Sequence, residues 1–85
     1  MIKATDFISD DAKKEAEQQA LGMLLDAFAK EVGGKIFQKL EAGESGWDKP
    51  ENSEVLKKKL LENYQRGDMV DVAALAMMLW NLQQK

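Results

Sequence analysis

The chain has neither cysteine nor histidine, and a single proline among its 85 residues. Without cysteine there are no disulfides and no thiolate metal sites, and without histidine there is no imidazole ligand and no imidazole acid–base catalyst. Those two absences together exclude most familiar hydrolytic and redox mechanisms. The lack of cysteine fits a reducing compartment, so a cytoplasmic location is expected. Charge of one sign is also scarce: 12 Lys and Arg stand against 15 Asp and Glu, giving a formal net charge of -3. Acids and lysines are interspersed, which argues against general nucleic-acid binding. Lys57, Lys58 and Lys59 form the basic run, and a short run of this kind reads as the solvated face of a helix. The longest apolar run is about half of a membrane span, and the first ten residues lack the apolar region of a signal peptide.

What is present is helical periodicity. Strand-like alternation is missing, and the proline, Pro50, falls in a connection from Ala42 to Asn52 that also holds Gly43 and Gly46. The expected fold is therefore all-α, one domain over 1–85, with three main helices arranged as a helical hairpin or bundle. Helix one is expected to begin near Ser9, or at Thr5, with Asp10 and Asp11 favourably placed at the positive end of the helix dipole. From there Leu21, Leu25, Phe28, Val32, Ile36 and Leu40 draw one apolar stripe at spacings of three and four. The stripe runs straight across Gly33 and Gly34, a pair that costs about 2 kcal/mol in a helix interior relative to alanine. One kinked helix or two separate helices would satisfy both observations. Gly22, Asp26, Ala29 and Gly33 lie along a second, small-residue line that suits close helix packing.

In the connection, Trp47 is expected to pack back on the helices, while Asp48 and Glu51 have the spacing of a capping pair around Pro50, with Ser53 a further cap candidate. Helix two should run to about Arg66 with Leu56, Leu60 and Tyr64 on one face, plus Leu61, and end at Gly67 in a left-handed turn. Helix three follows at once, with Asp68 as N-cap and Asp71 in its first turn.

Helix three is the most unusual element, because the nine residues from Val72 to Trp80 are all apolar or alanine. Such a helix has no face for water, and a chain this short removes only roughly 60% of its unfolded surface on folding. Self-association as a homodimer or higher oligomer is the expected remedy. Met69, Val72, Leu75, Met77, Met78, Leu79 and Trp80, with Trp47 from the connection, are the candidate interface residues, the two tryptophans serving as anchors.

The strings GWDKPENSEVLKKKLLEN and GDMVDVAALAMMLWN resemble small phage-borne helical proteins and, more distantly, the MazG-like all-α nucleotide pyrophosphohydrolases, over roughly the C-terminal half. Leu40, Gly46, Trp47, Leu60, Glu62, Gly67, Asp71, Val72, Ala73 and the pair Met77 and Met78 fall in the order of that family's pattern. The resemblance implies magnesium-dependent hydrolysis of a nucleoside triphosphate to monophosphate and pyrophosphate. In that family carboxylates three residues apart on two helices hold the cation, since a hard cation requires several carboxylate oxygens on one side. Here Asp71 matches the final aspartate, Asp68 stands where glutamate is expected, and Glu62 is one member of the other pair. Its partner is missing, because Gln65 or Lys59 occupies the place. Lys58 or Lys59 would then contact phosphate.

Two functional expectations follow. The first is a non-enzymatic interaction protein of phage or prophage type, in the cytoplasm of the host cell, without cofactor. It would self-associate and bind a protein partner, with inhibition of a host defence or host enzyme as its class of action. The second is a reduced MazG-like hydrolase or nucleotide-binding protein using magnesium on Glu62, Asp68 and Asp71. Nucleic acid and membrane are not expected partners.

Overall fold

The computed structural model describes residues 10–84. They form helices α1 (Asp10–Glu41), α2 (Ser53–Gln65) and α3 (Met69–Gln83), with a single 3-10 turn at Pro50–Asn52 and no strand among the described residues. The all-α fold with three main helices is as expected. Ser9 and Thr5, the cap candidates for the first helix, lie outside the described residues. No described helix is long and apolar enough to cross a membrane.

α1 is one helix of 32 residues, unbroken at Gly33 and Gly34. Between residues 21 and 41 only Val32, Lys35, Ile36 and Lys39 are half-buried. Their spacing of three and four makes them one face, and that face lies on α3. Contacts on both sides of the glycine pair thus hold the helix in register through it. The chain leaves α1 by two backbone hydrogen bonds, Gly43 N–H to the Leu40 carbonyl and Glu44 N–H to the Lys39 carbonyl, each 3.0 Å. That pairing satisfies two of the carbonyls a helix end leaves open.

The connection is tied by Asn52, whose Nδ2 donates to the Gly46 carbonyl at 2.8 Å. The N-cap position of the 3-10 turn is Lys49 and that of α2 is Asn52, neither with a side-chain cap bond of its own. The Asn52 amide is turned back across the loop instead, and Ser53 becomes the first residue of α2. Gly46 itself sits at φ +87, a backbone region that side chains disfavour.

α2 and α3 are folded against each other through a reversal at 66–68. Gly67 takes φ +79, and Asp68 N–H reaches back to the Asn63 carbonyl at 2.9 Å while Gly67 N–H bonds Tyr64 at 3.0 Å. The buried core between these helices is small: Leu56, Ala74, Leu75 and Met78, with Leu60, Leu79 and Leu82 packed against it. Tyr64, expected beside Leu56 and Leu60, is 61% exposed. The inward place one turn beyond Leu60 belongs to Asn63, which is buried with Nδ2 donating to the Lys59 carbonyl and Oδ1 accepting from Arg66. An amide can enter the core there because both its ends are hydrogen-bonded.

Gly46→Ala is expected to destabilise the chain by about 1–3 kcal/mol, since the new Cβ would stand 2.8 Å from Asn52 Nδ2 on a positive-φ backbone. Asn52→Ala should cost about 1 kcal/mol, the net value of one hydrogen bond. Urea denaturation of both variants checks the order of the two effects.

Candidate interaction surface

Placed on a helical wheel at 100° per residue, the apolar residues of α3 divide into two faces. Ala74, Leu75 and Met78 are centred on the side turned to α2 and α1, and each is buried. Met69, Ala76 and Trp80 occupy the opposite side and are exposed, Trp80 to 60%, while Met77 is exposed on the flank between the two faces. Of the eight residues expected at an interface, Leu75 and Met78 are therefore core of the subunit, because its own α2 and α1 cover them. Val72 and Leu79 are half-buried at the border. Met69, Met77 and Trp80, with Trp47 at 40% exposure, remain available to a partner.

Trp47 and Met77 also line a groove of about 430 Å³ whose walls include Ile36 and Leu40 of α1, Leu56 of α2 and Met78 of α3. Lys39, Lys59 and Glu44 border the same groove. Its floor is apolar, so it offers a slot for greasy side chains more than a cradle for charge. Beyond it, the first half of α1 carries Leu21, Met23, Leu24 and Leu25, each more than half exposed, and Phe28. This second uncovered region was legible only as a stripe, with no sign in the sequence that its upstream half would lack a cover.

The acidic candidates come together in part. Asp68 caps α3, its Oδ1 accepting from Asp71 N–H at 3.0 Å. Lys35 of α1 reaches both carboxylates, its Nζ standing 3.8 Å from Asp68 Oδ2 and 3.8 Å from Asp71 Oδ2. The other Asp71 oxygen, Oδ1, is buried without a hydrogen-bond partner among the described residues. Bonding to the Asp71 backbone N–H, then the nearby Lys35 charge, holds the Asp68 carboxyl below the usual aspartate range. Glu62 is exposed on α2, and among the described residues no three acidic side chains gather where they could hold a metal ion. The magnesium set of Glu62, Asp68 and Asp71 thus does not gather as a set: Glu62 stands apart, one oxygen of Asp68 is occupied by the cap, Lys35 faces one oxygen of each aspartate, and only Asp71 Oδ1 is left without a partner among the described residues. Lys35 was missed from the sequence, where it looks like any lysine beside an apolar stripe.

Neither a family model, nor a curated protein, nor a solved structure matches this chain.

Lys35→Met should destabilise the fold by about 1 kcal/mol, toward the upper end for a partly exposed pair, because it leaves the enclosed Asp71 carboxylate without a cation. For Asp68 the folded pKa is lowered, so its contribution to stability is present above the unfolded aspartate pKa and is lost as pH falls through the folded value, that is, below about pH 4. Asp68→Asn keeps an N-capping side chain but removes that titration. Its urea midpoint is expected to fall less steeply than the wild-type midpoint on acidification through that range.

Proposed function

We propose that this chain is a non-enzymatic interaction protein that self-associates and acts by binding a protein partner. The observation that carries the reading is the outward face of α3: Met69 and Trp80 stand in solvent on the side of the helix away from the subunit core, with Met77 exposed on its flank. Adaptable methionines around an aromatic anchor are the composition of a binding surface, and an apolar patch left open on a small chain marks such a site. The acids that might have argued for catalysis have structural employment instead, Asp68 as a helix cap and Asp71 as the counter-charge to Lys35. Inhibition of a host defence or a host enzyme, in the cytoplasm of the host, is the class of action that the resemblance to small phage-borne proteins adds to this reading.

The magnesium-dependent pyrophosphohydrolase is the lesser reading, and no arrangement of the described acids favours it. Both are decided together. The tagged chain is expected to retain a protein from the natural host in stoichiometric amount, and Met69→Glu with Trp80→Glu, both outside the groove, should abolish that retention. The double variant should keep its helical circular dichroism and a stability within about 0.5 kcal/mol of wild type, as exposed positions allow. Equal retention by the variant would sink the proposed face. Pyrophosphate release from nucleoside triphosphates with magnesium, lost in Asp71→Asn, would replace the proposal with the hydrolase.

A further inference from the structure

We infer that the chain forms a two-fold dimer in which the first half of α1 from each copy lies in the groove of the other, Leu21 and Leu25 against the partner's end of the stripe at Ile36 and Leu40. This deepens the reading of a self-associating interaction protein, and it moves the seam from α3, where the sequence put it, to α1.

The case begins with surface. A folded monomer of this mass exposes about 5,000 Å² by the usual scaling, whereas this chain exposes 6959 Å². The difference, on the order of 1,900 Å², falls within the roughly 1,000–2,500 Å² that each partner buries in an obligate homodimer. The radius of gyration points the same way, at 16.9 Å against about 12 Å for a compact domain of this length. α1 accounts for the elongation: at 1.5 Å per residue it spans about 48 Å, close to the 51 Å long axis of the molecule.

The location follows from the residues. Every position from 21 to 31 is exposed, yet Leu21, Leu24, Leu25 and Phe28 continue the same stripe whose downstream members, Val32 and Ile36, face α3. An amphipathic helix owes most of its stability to packing of its apolar face, and among the described residues nothing covers the stretch from 21 to 31. The chain also carries the complement, the apolar groove bordered by Ile36, Leu40 and Met77. A ridge and a groove on opposite ends of one subunit can close by a two-fold axis, each filling the other, which removes both apolar surfaces without leaving an open end for further addition. A foreign protein would have to supply both shapes; a second copy supplies them by symmetry.

The glycines of α1 are consistent with this. Gly22, Gly33 and Gly34 are costly in a helix, and among the described residues nothing comes within 4 Å of a Cβ built at any of them. The subunit gives no steric reason for their smallness. For Gly22 and Gly33 an antiparallel α1 crossing near the middle of the helix does, since it brings a second backbone towards the line of Gly22, Ala29 and Gly33; Gly34 lies off that line and is not explained by it.

The chain has no cysteine of its own, so engineered thiols report the geometry directly. Leu21 and Leu40 lie about 28 Å apart along α1, too far for a disulfide within one chain. Mixing Leu21→Cys protein with Leu40→Cys protein under mild oxidation should give covalent dimers, and Leu21→Cys protein alone should not. In parallel, sedimentation velocity should show wild type as a dimer at micromolar concentration. Leu25→Glu with Phe28→Glu, both on the free ridge, should raise the dimer dissociation constant on the order of 100-fold or more. A dimer that persists in this variant, and that gives no mixed disulfide, overturns the α1 seam while leaving self-association standing. Ready cross-linking of Leu21→Cys protein alone overturns the antiparallel arrangement. A wild-type monomer at all concentrations ends both the seam and self-association, and partner retention by the Met69 and Trp80 face is then judged separately.

Discussion

Because α2 and α3 are joined by only three residues, the reversal at 66–68 decides which of their faces meet, and the whole buried core lies between those faces. Gly67 supplies the backbone turn, and Asp68 closes it from both directions, its N–H bonded to the Asn63 carbonyl and its carboxylate to the Asp71 N–H. With α3 started in that register, Leu75 and Met78 point at Leu56, and Asp71 points at α1. Lys35 then ties α1 to the same pair of aspartates. The residues that look most like a metal site are therefore the joint on which three helices depend, and among the described residues no third acid joins them to complete a cation site.

The reversal was legible in the sequence because its signals are local. A glycine followed at once by an aspartate with a second acid three residues on specifies a helix end and a helix start with no knowledge of the rest of the fold. The end of α1 and the loop were less legible. The loop is tied by the Asn52 amide, which finds the Gly46 carbonyl six residues back, a contact that exists only once the loop has closed. Asn63 was invisible for a related reason: an asparagine on a lysine-rich helix reads as solvated until Arg66 and the Lys59 carbonyl are seen to satisfy both ends of its amide.

The division of α3 into core and surface shows where pattern reading stops. Nine consecutive apolar residues carry no periodicity, so the sequence predicts that the helix needs cover all round without saying which side its own chain provides. The structure assigns Ala74, Leu75 and Met78 inward and leaves Met77, on the flank, and Trp80, on the far side, exposed. The expectation of uncovered apolar surface on α3 holds for the second set and fails for the first. In α1 the pattern was clear and the cover was what could not be read: a regular stripe ordinarily implies a face packed within the subunit, and here α2 and α3 are too short to reach its upstream half.

That shortness links the two surfaces. α2 and α3 have 13 and 15 residues against 32 in α1, so a hairpin of the two can shield at most about half of the longer helix, at 1.5 Å of rise per residue. Any arrangement that buries the remainder must bring in another helix of comparable length, and α1 of a second copy is the one such helix the chain itself supplies. Pairing through α1 uses the groove side of the hairpin and leaves Trp80 on the face of α3 opposite its buried residues. Self-association and partner binding then draw on largely different apolar residues, apart from Trp47 and Met77, which are exposed and also line the groove. A side chain shared in this way is where occupancy of one surface would be felt at the other, since a methionine repacks readily and does so for both neighbours at once.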